Sequence, residues 1–284
     1  MNELSPVAAA KTPSPECSLV TSVEQTWRLL QEEALRAAES EIVLARFLDN
    51  AVLSHADLGG GLAELLSRKL AEPVMPQERL IELVQGAIGE DPAILAAAAA
   101  DLAAVLARDP AAGTYLTPFL YYKGFHALQW HRVGHFLWNR GRQELAHFLQ
   151  SRVSEVFAVD IHPAVPVGQG VFIDHGTGLV VGETSVIGND VSILHEVTLG
   201  GTGKARGDRH PKVEDGVLLS AGAKVLGNIT LGRNAKIGAG SVVLHDVPPC
   251  ATVAGVPARV VGWCRESIPA LMMDQSLPDY DYVI

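Results

Sequence analysis

Acidic and basic side chains in the second half of the chain have a spacing that could support proton transfer. Asp174 directly precedes His175, and Asp160 lies fifteen residues earlier. An imidazole titrates near neutral pH and can accept a hydroxyl proton, and a neighbouring carboxylate can hold its tautomer. His175 is therefore our candidate general base, with Asp160 as the residue that orients it. The alternative is an exposed turn histidine without a catalytic role.

A polar segment, residues 200–212, carries Arg209 and His210 near its end. An arginine can bind a carboxylate through two parallel hydrogen bonds, and a histidine can bond a hydroxyl group. These two residues could therefore bind a small polar substrate, or they could belong to a solvated loop. The segment does not match a phosphate-binding loop, because Ala205 follows Lys204 where that motif requires Ser or Thr.

His195 occupies the same place in its repeat unit as His175 does three units earlier. This spacing predicts that the two histidines lie on one face of the fold, one coil apart. Together with His210 they could bind zinc between subunits, since neutral imidazoles are good zinc ligands. Alternatively, they could hydrogen-bond an organic substrate in a cleft. We favour the substrate cleft and expect no metal.

The sequence around these residues repeats with a period of six. An aliphatic residue returns at every sixth position in three blocks, and in the last block small or β-branched residues follow four places later. This period fits a triangular coil with one short strand on each face, where each strand points one aliphatic side chain inward. The pattern predicts a parallel β-helix with the inward residues Ile161, Val167, Ile173, Val181, Ile187, Ile193, Leu199, Val213, Leu219, Val225, Leu231, Ile237 and Val243.

Two interruptions of the repeat indicate where function is expected. The first adds two residues to one unit and contains His175. The second is the polar segment 200–212, with Arg209 and His210. Insertions in repeat folds project from one face of the coil, often the face that binds ligands. We therefore expect the functional site at these two places.

The first half of the chain has helical patterning instead. Ser22 begins a capping box, apolar residues recur at helical spacing as far as Leu53, and further helices are predicted to start at Pro76 and Asp91. Residues 121–156 predict one or two long helices. The fold class is therefore α+β, with four regions: a flexible N-terminus (1–20), a helical domain (21–156), a β-helix domain (157–262) and a C-terminal tail (263–284).

The composition argues against several classes of partner. The formal net charge of −10 argues against nucleic-acid binding, and the apolar stretches are too short to span a membrane. The three cysteines form no paired motif, so we expect no disulfide scaffold and interpret Cys250 and Cys264 as ordinary residues. Because residues 1–22 have no secretion-signal pattern, we expect a cytoplasmic protein.

Several longer segments match a single pattern. On the coil these are Asp-Ile-His-Pro-Ala (160–164), Asp-His-Gly-Thr-Gly (174–178), Val-Gly-Glu-Thr (181–184), Val-Thr-Leu-Gly-Gly-Thr-Gly-Lys (197–204), Gly-Asp-Arg-His-Pro-Lys (207–212) and Ala-Gly-Val-Pro-Ala-Arg (254–259). In the helical half they are Arg-Asp-Pro-Ala (108–111) and Tyr-Tyr-Lys-Gly-Phe-His-Ala-Leu-Gln (121–129). Together they resemble the serine O-acetyltransferase family, whereas sixfold repeats alone would indicate only an acyltransferase-like coil.

The resemblance implies a reaction and a role for each matching residue. The family transfers an acetyl group from acetyl-CoA to the hydroxyl of L-serine, the first step of cysteine biosynthesis. His175 would take the hydroxyl proton, with Asp160 orienting it. The serine ammonium would bind near two acidic residues and its carboxylate near Arg209, which gives the substrate-binding set Asp109, Asp174, Arg209 and His210. Small residues would line the CoA channel at Gly201, Ala221 and Ala239.

The resemblance also implies an assembly, an inhibitor and a partner. The family's coil is left-handed and packs as a homotrimer with active sites between subunits, and helical domains join two trimers into a hexamer. L-cysteine would inhibit by occupying the serine site. Ile284 matches a C-terminal isoleucine whose carboxylate docks in O-acetylserine sulfhydrylase. The chain departs from the family pattern at His195, where known relatives carry glutamine, and its tail matches only loosely.

Three other functions are compatible with parts of this pattern. A hexapeptide acetyltransferase for a sugar or a xenobiotic would share the base and the CoA groove, but would not need acidic residues and Arg209 around one zwitterion. A zinc lyase of the carbonic-anhydrase type would use His175, His195 and His210 as ligands. A non-catalytic scaffold for the sulfhydrylase would bind through the tail without turnover.

Overall fold

The computed structural model describes residues 22–203, 206–264 and 268–277. Its first half is helical, and Ser22 caps the first helix by accepting a 3.1 Å hydrogen bond from the Gln25 amide, as the capping box predicts. The α-helices of this half are α1 Val23–Ser40, α2 Ala45–Leu48, α3 Leu58–Leu70, α4 Gln77–Glu90, α5 Ala93–Arg108, α6 Leu116–Tyr121, α7 Lys123–Asn139 and α8 Gln143–Phe157.

The helical stretch that the sequence predicts as far as Leu53 is interrupted. Helix α1 ends at Ser40, and a 3-10 turn (Ile42–Leu44), α2 and a π-turn (Asp49–Leu53) follow. The break occurs at Glu41, whose backbone is not helical and whose carboxylate accepts the amide of Val43. The apolar residues keep their helical spacing in this segment, but Val43 is exposed. Burial of an apolar face therefore does not stabilise one straight helix here. The starts predicted near Pro76 and Asp91 and the two long helices within 121–156 are confirmed.

The second half is a parallel β-helix of short strands. The strands are β1 Val159–Ile161, β2 Phe172–Ile173, β3 Leu179–Val181, β4 Val186–Ile187, β5 Ser192–Ile193, β6 Thr198–Gly200, β7 Lys212–Val213, β8 Leu218–Leu219, β9 Lys224–Leu226, β10 Thr230–Leu231, β11 Lys236–Ile237 and β12 Val242–Val243. Two more, β13 Ala251–Gly255 and β14 Ala258–Trp263, form an antiparallel hairpin at the end.

Three sheets form the faces of the triangular coil. Their strand orders are β1-β3-β6-β9-β12, β10-β7-β4 and β14-β13-β11-β8-β5-β2. The inward aliphatic residues stack in register, for example Val181 on Leu199 and Leu199 on Val225. All thirteen predicted inward residues belong to the core or pack against it, so the sixfold prediction is confirmed.

Buried polar contacts join the helices to the first coil. Asp101 on α5 is fully buried and accepts a 2.7 Å bond from Arg132 on α7 and a 2.8 Å bond from the amide of Val171. Arg132 also donates to the carbonyl of Val167 at 3.1 Å. Removing one partner of such a pair leaves a buried charge and typically costs about 3–5 kcal/mol. This pair fixes α5 and α7 against the coil.

The C-terminal segment Ile268–Leu277 packs back on the six-stranded sheet. It contains the short helix α9 (Pro269–Met272), whose residue Ala270 accepts a 2.8 Å hydrogen bond from the Ser192 hydroxyl. Met273 packs against Val105, Ala112 and Phe172. Within the described ranges, no helix has the length and apolar character that crossing a bilayer requires.

Candidate active site

The candidate residues lie at two corners of the coil. We define the first corner as the turns that lead from the six-stranded sheet into the five-stranded sheet: residues 174–178, 194–197, 220–223 and 238–241. We define the second corner as the turns that follow β3 and β6: residues 182–185 and 201–211, of which 204 and 205 lie outside the described ranges. The five-stranded sheet separates the two corners.

The first corner holds His175 beside Asp174 and His195. His175 has a left-handed backbone (φ 56°), and its side chain is 75% exposed. Its Nε2 lies 3.7 Å from Oδ1 of Asp174. The rings of His175 and His195 are 5.9 Å apart at an angle of 75°, which confirms that the two histidines share one face. His195 Nδ1 is buried and has no hydrogen-bond partner in the described structure.

The helical half completes the first corner with Asp109 and Tyr122. Asp109 follows α5, and Tyr122 precedes α7. Burial raises the pKa of Tyr122 to about 12, and its hydrogen bond to Asp109 adds to the effect. Burial also raises the pKa of Asp174; Asp109 acts in the same direction, whereas His175 lowers it. Two carboxylates therefore share one site, an arrangement that a substrate cation would stabilise.

Packing of α7 requires a glycine next to the first corner. A side chain at Gly124 would overlap the carbonyl oxygen of Ile173, the residue before Asp174. Lys123, beside this glycine, donates from Nζ to the hydroxyl of Thr177. On α5, Arg108 donates to the Ser192 hydroxyl at 3.1 Å, so both helices are tied to the coil near the candidate residues.

In the second corner, Thr184 positions His210. Its hydroxyl accepts the amides of Arg209 and His210 at 2.9 and 3.0 Å, and it lies 2.9 Å from His210 Nδ1. The Thr184 amide also donates to Nδ1 at 3.1 Å, which assigns the proton of the neutral ring to Nε2. Burial lowers the pKa of His210, and Arg209 lowers it further. His210 is therefore a neutral donor at neutral pH.

Arg209 is held by a carboxylate and a carbonyl. Its Nη2 lies 2.7 Å from Oε2 of Glu183, and its Nη1 donates to the carbonyl of Gly207 at 3.0 Å. The hydrogen bond from Arg209 lowers the pKa of Glu183. The Arg209 side chain is 31% exposed, so its guanidinium group has a fixed direction and faces solvent.

Asp160 is not placed beside His175 within one chain. Asp160 is in register with Val180, twenty residues later, whereas His175 lies in the turn that precedes β3. Its carboxylate accepts a 2.7 Å hydrogen bond from Gln150, and none joins it to His175 in the described structure. Burial lowers the pKa of His162, Glu183 and Asp160 raise it, and Arg209 lowers it. Asp160 therefore acts on the same histidine as Glu183 and Arg209, two residues of the second corner. The expectation that stacking alone brings Asp160 to His175 is wrong.

The comparisons with known proteins agree with this geometry. A family model described as "Serine acetyltransferase, N-terminal" matches residues 26–130, and one described as "Bacterial transferase hexapeptide (six repeats)" matches residues 210–245. The serine acetyltransferase of Escherichia coli K12 is 55% identical over 253 residues, which cover 89% of this chain and 93% of the relative. The chain belongs to the serine acetyltransferase family.

Solved members of the serine acetyltransferase family have the same fold. A serine acetyltransferase in complex with cysteine superposes with a TM-score of 0.87 at 54% identity and covers 89% of this chain and 98% of its own. A complex with CoA gives a TM-score of 0.82 at 54% identity over 84% of this chain and all of its own. The predicted fold class, helices followed by a left-handed parallel β-helix, is confirmed.

Membership in this family gives the reaction. The chain is a serine O-acetyltransferase, which transfers acetyl from acetyl-CoA to the L-serine hydroxyl and so begins cysteine biosynthesis. Acetyl-CoA is the cosubstrate. The sugar or xenobiotic acetyltransferase, the zinc lyase and the non-catalytic scaffold are thereby set aside on the ground of sequence identity.

The small residues expected at the CoA channel divide between the corners of this acetyltransferase. Ala221 and Ala239 stack on the first corner beyond His195: the Gly222 amide donates to the carbonyl of His195 at 2.9 Å, and Gly240 to that of Ala221 at 2.8 Å. Gly201 lies at the second corner, where an added Cβ would be 3.4 Å from Nε2 of His210. A column of small residues therefore leads along the coil from the histidine pair.

The three histidines considered as zinc ligands divide in the same way. His175 and His195 lie at the first corner, and His210 lies at the second. Across the described ranges, no group of three or more His, Cys, Asp or Glu residues is placed to hold a metal ion.

Three residues of the site were not singled out from sequence. Tyr122 contacts Asp109, Glu183 pairs with Arg209, and Thr184 fixes His210. Glu183 and Thr184 follow strand β3 within a segment of family resemblance, so their position at a strand end was an available signal. Tyr122 lies thirteen residues after Asp109, and only the fold of α6 brings the two together.

Proposed function

We propose that the serine site of this acetyltransferase forms between two chains, from the first corner of one and the second corner of its neighbour. The observation that carries this proposal is the placement of the corners at opposite ends of the same strands. The three residues of β3 and the adjoining turns separate them by on the order of 15 Å, farther than one serine molecule reaches. Corners of adjacent triangular coils meet when three coils pack around a threefold axis.

The chemical step is general-base catalysis by His175. Its exposed imidazole takes the serine hydroxyl proton as the oxygen attacks the thioester carbonyl carbon of acetyl-CoA. When the tetrahedral intermediate collapses, the carbon–sulfur bond breaks, and His175 returns the proton to the departing CoA sulfur. Asp160 of the neighbouring chain stabilises the imidazolium. This role is supported by the position of Asp160 on the five-stranded face, where in the described part of the chain its carboxylate accepts a single side-chain hydrogen bond, from Gln150.

Serine recognition uses opposite charges at the two corners. Asp109 and Asp174 at the first corner bind the ammonium group, whose positive charge would offset the burial and the repulsion by Asp109 that raise the pKa of Asp174. Arg209, whose direction Glu183 fixes, binds the carboxylate. His210 donates from Nε2 within the same site, since Thr184 occupies its other nitrogen.

Acetyl-CoA lies along the column of small residues, with its thioester at His175. Ala221 and Ala239 of one chain, with Gly201 at the second corner of its neighbour, leave room for the pantetheine arm next to the backbone. The related structure with CoA supports this assignment for the same fold.

L-cysteine is the inhibitor that this site favours. It has the ammonium and carboxylate groups of serine and differs only in the sulfur atom, so the same charged residues would hold it. The related structure with cysteine supports this view. Inhibition by cysteine that competes with serine is the expected result, and inhibition unaffected by serine concentration would place cysteine elsewhere.

Mixed assemblies test the shared site directly. We expect His175→Ala and Arg209→Ala chains to be nearly inactive alone. Co-refolded at equal amounts, they form some sites from two intact corners and regain about a quarter of wild-type activity. A mixture of His175→Ala with Asp174→Asn is the matched control, because both lesions lie at the first corner and cannot complement. Equal activity in both mixtures would refute the shared site.

Assembly size, partner and location are further predictions. A homotrimer or a dimer of trimers would have three or six times the chain mass of 30.2 kDa, which light scattering distinguishes. Ile284, the expected contact with O-acetylserine sulfhydrylase, lies outside the described residues. Deleting it should abolish co-elution with the sulfhydrylase and leave turnover unchanged. A cytoplasmic location stays a prediction.

A further inference from the structure

Cys250 and Cys264 face each other at the open end of the terminal hairpin. The outermost residue pair between β13 and β14 is Ala251 with Trp263, and the two cysteines flank this pair. The Cys264 amide donates to the Cys250 carbonyl at 2.7 Å, which extends the antiparallel pairing to the cysteines. Both cysteines are free thiols and only partly buried.

We propose that Cys250 and Cys264 form a reversible disulfide that clips the C-terminal segment to the coil. One backbone hydrogen bond joins the two cysteines, since Cys250 has a left-handed backbone (φ 61°) and its own amide donates to the carbonyl of Arg233 at 2.8 Å. Disulfides span Cα separations of roughly 4.4–6.8 Å, a range that includes residues joined across one backbone hydrogen bond. The two thiols are within hydrogen-bonding contact of each other.

The two thiols have different parts in the oxidation. Burial raises the pKa of Cys264 to about 11, and the hydrogen bond to Cys250 contributes. Cys264 therefore keeps its proton at neutral pH, and we assign the first attack to Cys250. With a peroxide, Cys250 sulfur takes one peroxide oxygen to give a sulfenic acid, and the oxygen–oxygen bond breaks. Cys264 sulfur then attacks this sulfur and displaces hydroxide, which leaves as water with the Cys264 proton. Two electrons pass from sulfur to the peroxide, and a dithiol reverses the reaction.

The position of the pair gives the disulfide a structural consequence. Cys264 is the last described residue before the segment Ile268–Leu277, which packs on the six-stranded sheet. Lys236 on that sheet contacts this segment through Asp274 at 3.6 Å. A bond to Cys250 anchors the start of this segment to the coil end and restricts the unfolded chain. The oxidised form should therefore unfold at a temperature several degrees higher than the reduced form.

The test uses the full chain with Cys17→Ser, which removes the remaining thiol. After mild hydrogen peroxide treatment we expect loss of both titratable thiols and a mass decrease of two hydrogen atoms. A non-reducing peptide map should link the peptides of Cys250 and Cys264, and dithiothreitol should restore thiols, mass and melting temperature.

Single variants provide the matched controls. In Cys264→Ser no second thiol can attack the sulfenic acid, so peroxide should oxidise Cys250 to the sulfenic and sulfinic acids, with added oxygen in the mass spectrum. Cys250→Ser should react much more slowly, because Cys264 stays protonated. Added oxygen on the two-cysteine chain, or only intermolecular dimers on a non-reducing gel, would overturn the proposal. Neither readout depends on enzyme activity, so the result is independent of the serine site.

Discussion

The two corners of the coil differ in how firmly their side chains are held. At the second corner, Thr184 fixes His210 through three hydrogen bonds and Glu183 holds Arg209 at 2.7 Å. At the first corner, His175 is 75% exposed and approaches Asp174 only to 3.7 Å. The nitrogen Nδ1 of His195 has no partner in the described structure. Both corners adjoin the same short strands, so the difference comes from the turns and not from the sheet.

This difference matches a division of tasks. A group that binds a fixed charge benefits from being positioned in advance, because less conformational entropy is lost when the ligand arrives. A general base must instead exchange a proton with the ligand, so its polar atoms have to remain available. In the site that we propose, the first corner supplies the chemistry and the second supplies orientation. Neither corner alone surrounds a substrate.

Removing the base should have the largest effect. We expect His175→Ala to lower kcat at least about a hundredfold, the lower part of the range for a general base. The KM for serine should change little, since the imidazole is not assigned to substrate charge. Steady-state kinetics with thiol release from acetyl-CoA measures both, and light scattering controls for assembly. Near-normal kcat would end the assignment of chemistry to the first corner.

A conservative change at the second corner should affect binding instead. Arg209→Lys keeps the charge but loses the planar pair of donors, so the KM for serine should rise about tenfold. The kcat at saturating serine should stay within about threefold of wild type. Glu183→Gln is the companion variant, because it leaves the guanidinium intact and removes only its anchor. A loss in kcat without change in KM would show that the second corner acts in the chemical step.

The sequence predicted the coil better than the site. A period of six is a local property that each short strand expresses independently, so the inward residues from Ile161 to Val243 could be assigned without tertiary information. The pairing of His175 with His195 followed from the same period. Arg209 and His210 were found because they interrupt it.

Contacts across separate elements could not be predicted in this way. Tyr122 meets Asp109 only because α6 folds between them, and Thr184 binds His210 through a turn hydroxyl that has no spacing rule. The placement of Asp160 was wrong because fifteen residues are fewer than one full coil, so Asp160 stacks on Val180 and not on His175, and the two extra residues lengthen this coil to twenty. Cys250 and Cys264 were interpreted as ordinary residues, and their adjacency could not be predicted because the coil ends in an antiparallel hairpin rather than in another sixfold turn.

The carboxylates of the first corner predict a pH dependence of serine binding. Binding the ammonium requires ionised Asp174, whose pKa is raised by burial and by Asp109. Affinity should therefore be lost as pH falls through a value above the ordinary carboxyl range. Calorimetry of serine binding to His175→Ala, in which no imidazole titrates at this position, should show this loss of affinity at acidic pH. Adding Asp109→Asn removes a negative charge that raises the pKa of Asp174. The loss of affinity should then occur at lower pH, although the affinity at neutral pH also falls. An upward shift would contradict the assignment.

The smallest effect is expected at His195, where the family pattern described from the sequence has glutamine. His195 packs 5.9 Å from His175 and lowers the pKa of Asp174, so its role is to provide a polar neighbour for both. Histidine and glutamine can both form hydrogen bonds to a bound ligand, so His195→Gln should keep kcat within about threefold of wild type. His195→Leu removes them and should cost about five- to tenfold, in line with one lost hydrogen bond. An amide cannot accept a proton at neutral pH and is a poor zinc ligand. An active glutamine variant would therefore show that His195 acts as a polar neighbour and not as a second base or a metal ligand. A hundredfold loss in His195→Gln, comparable to that of His175→Ala, would instead show that the first corner works through two imidazoles.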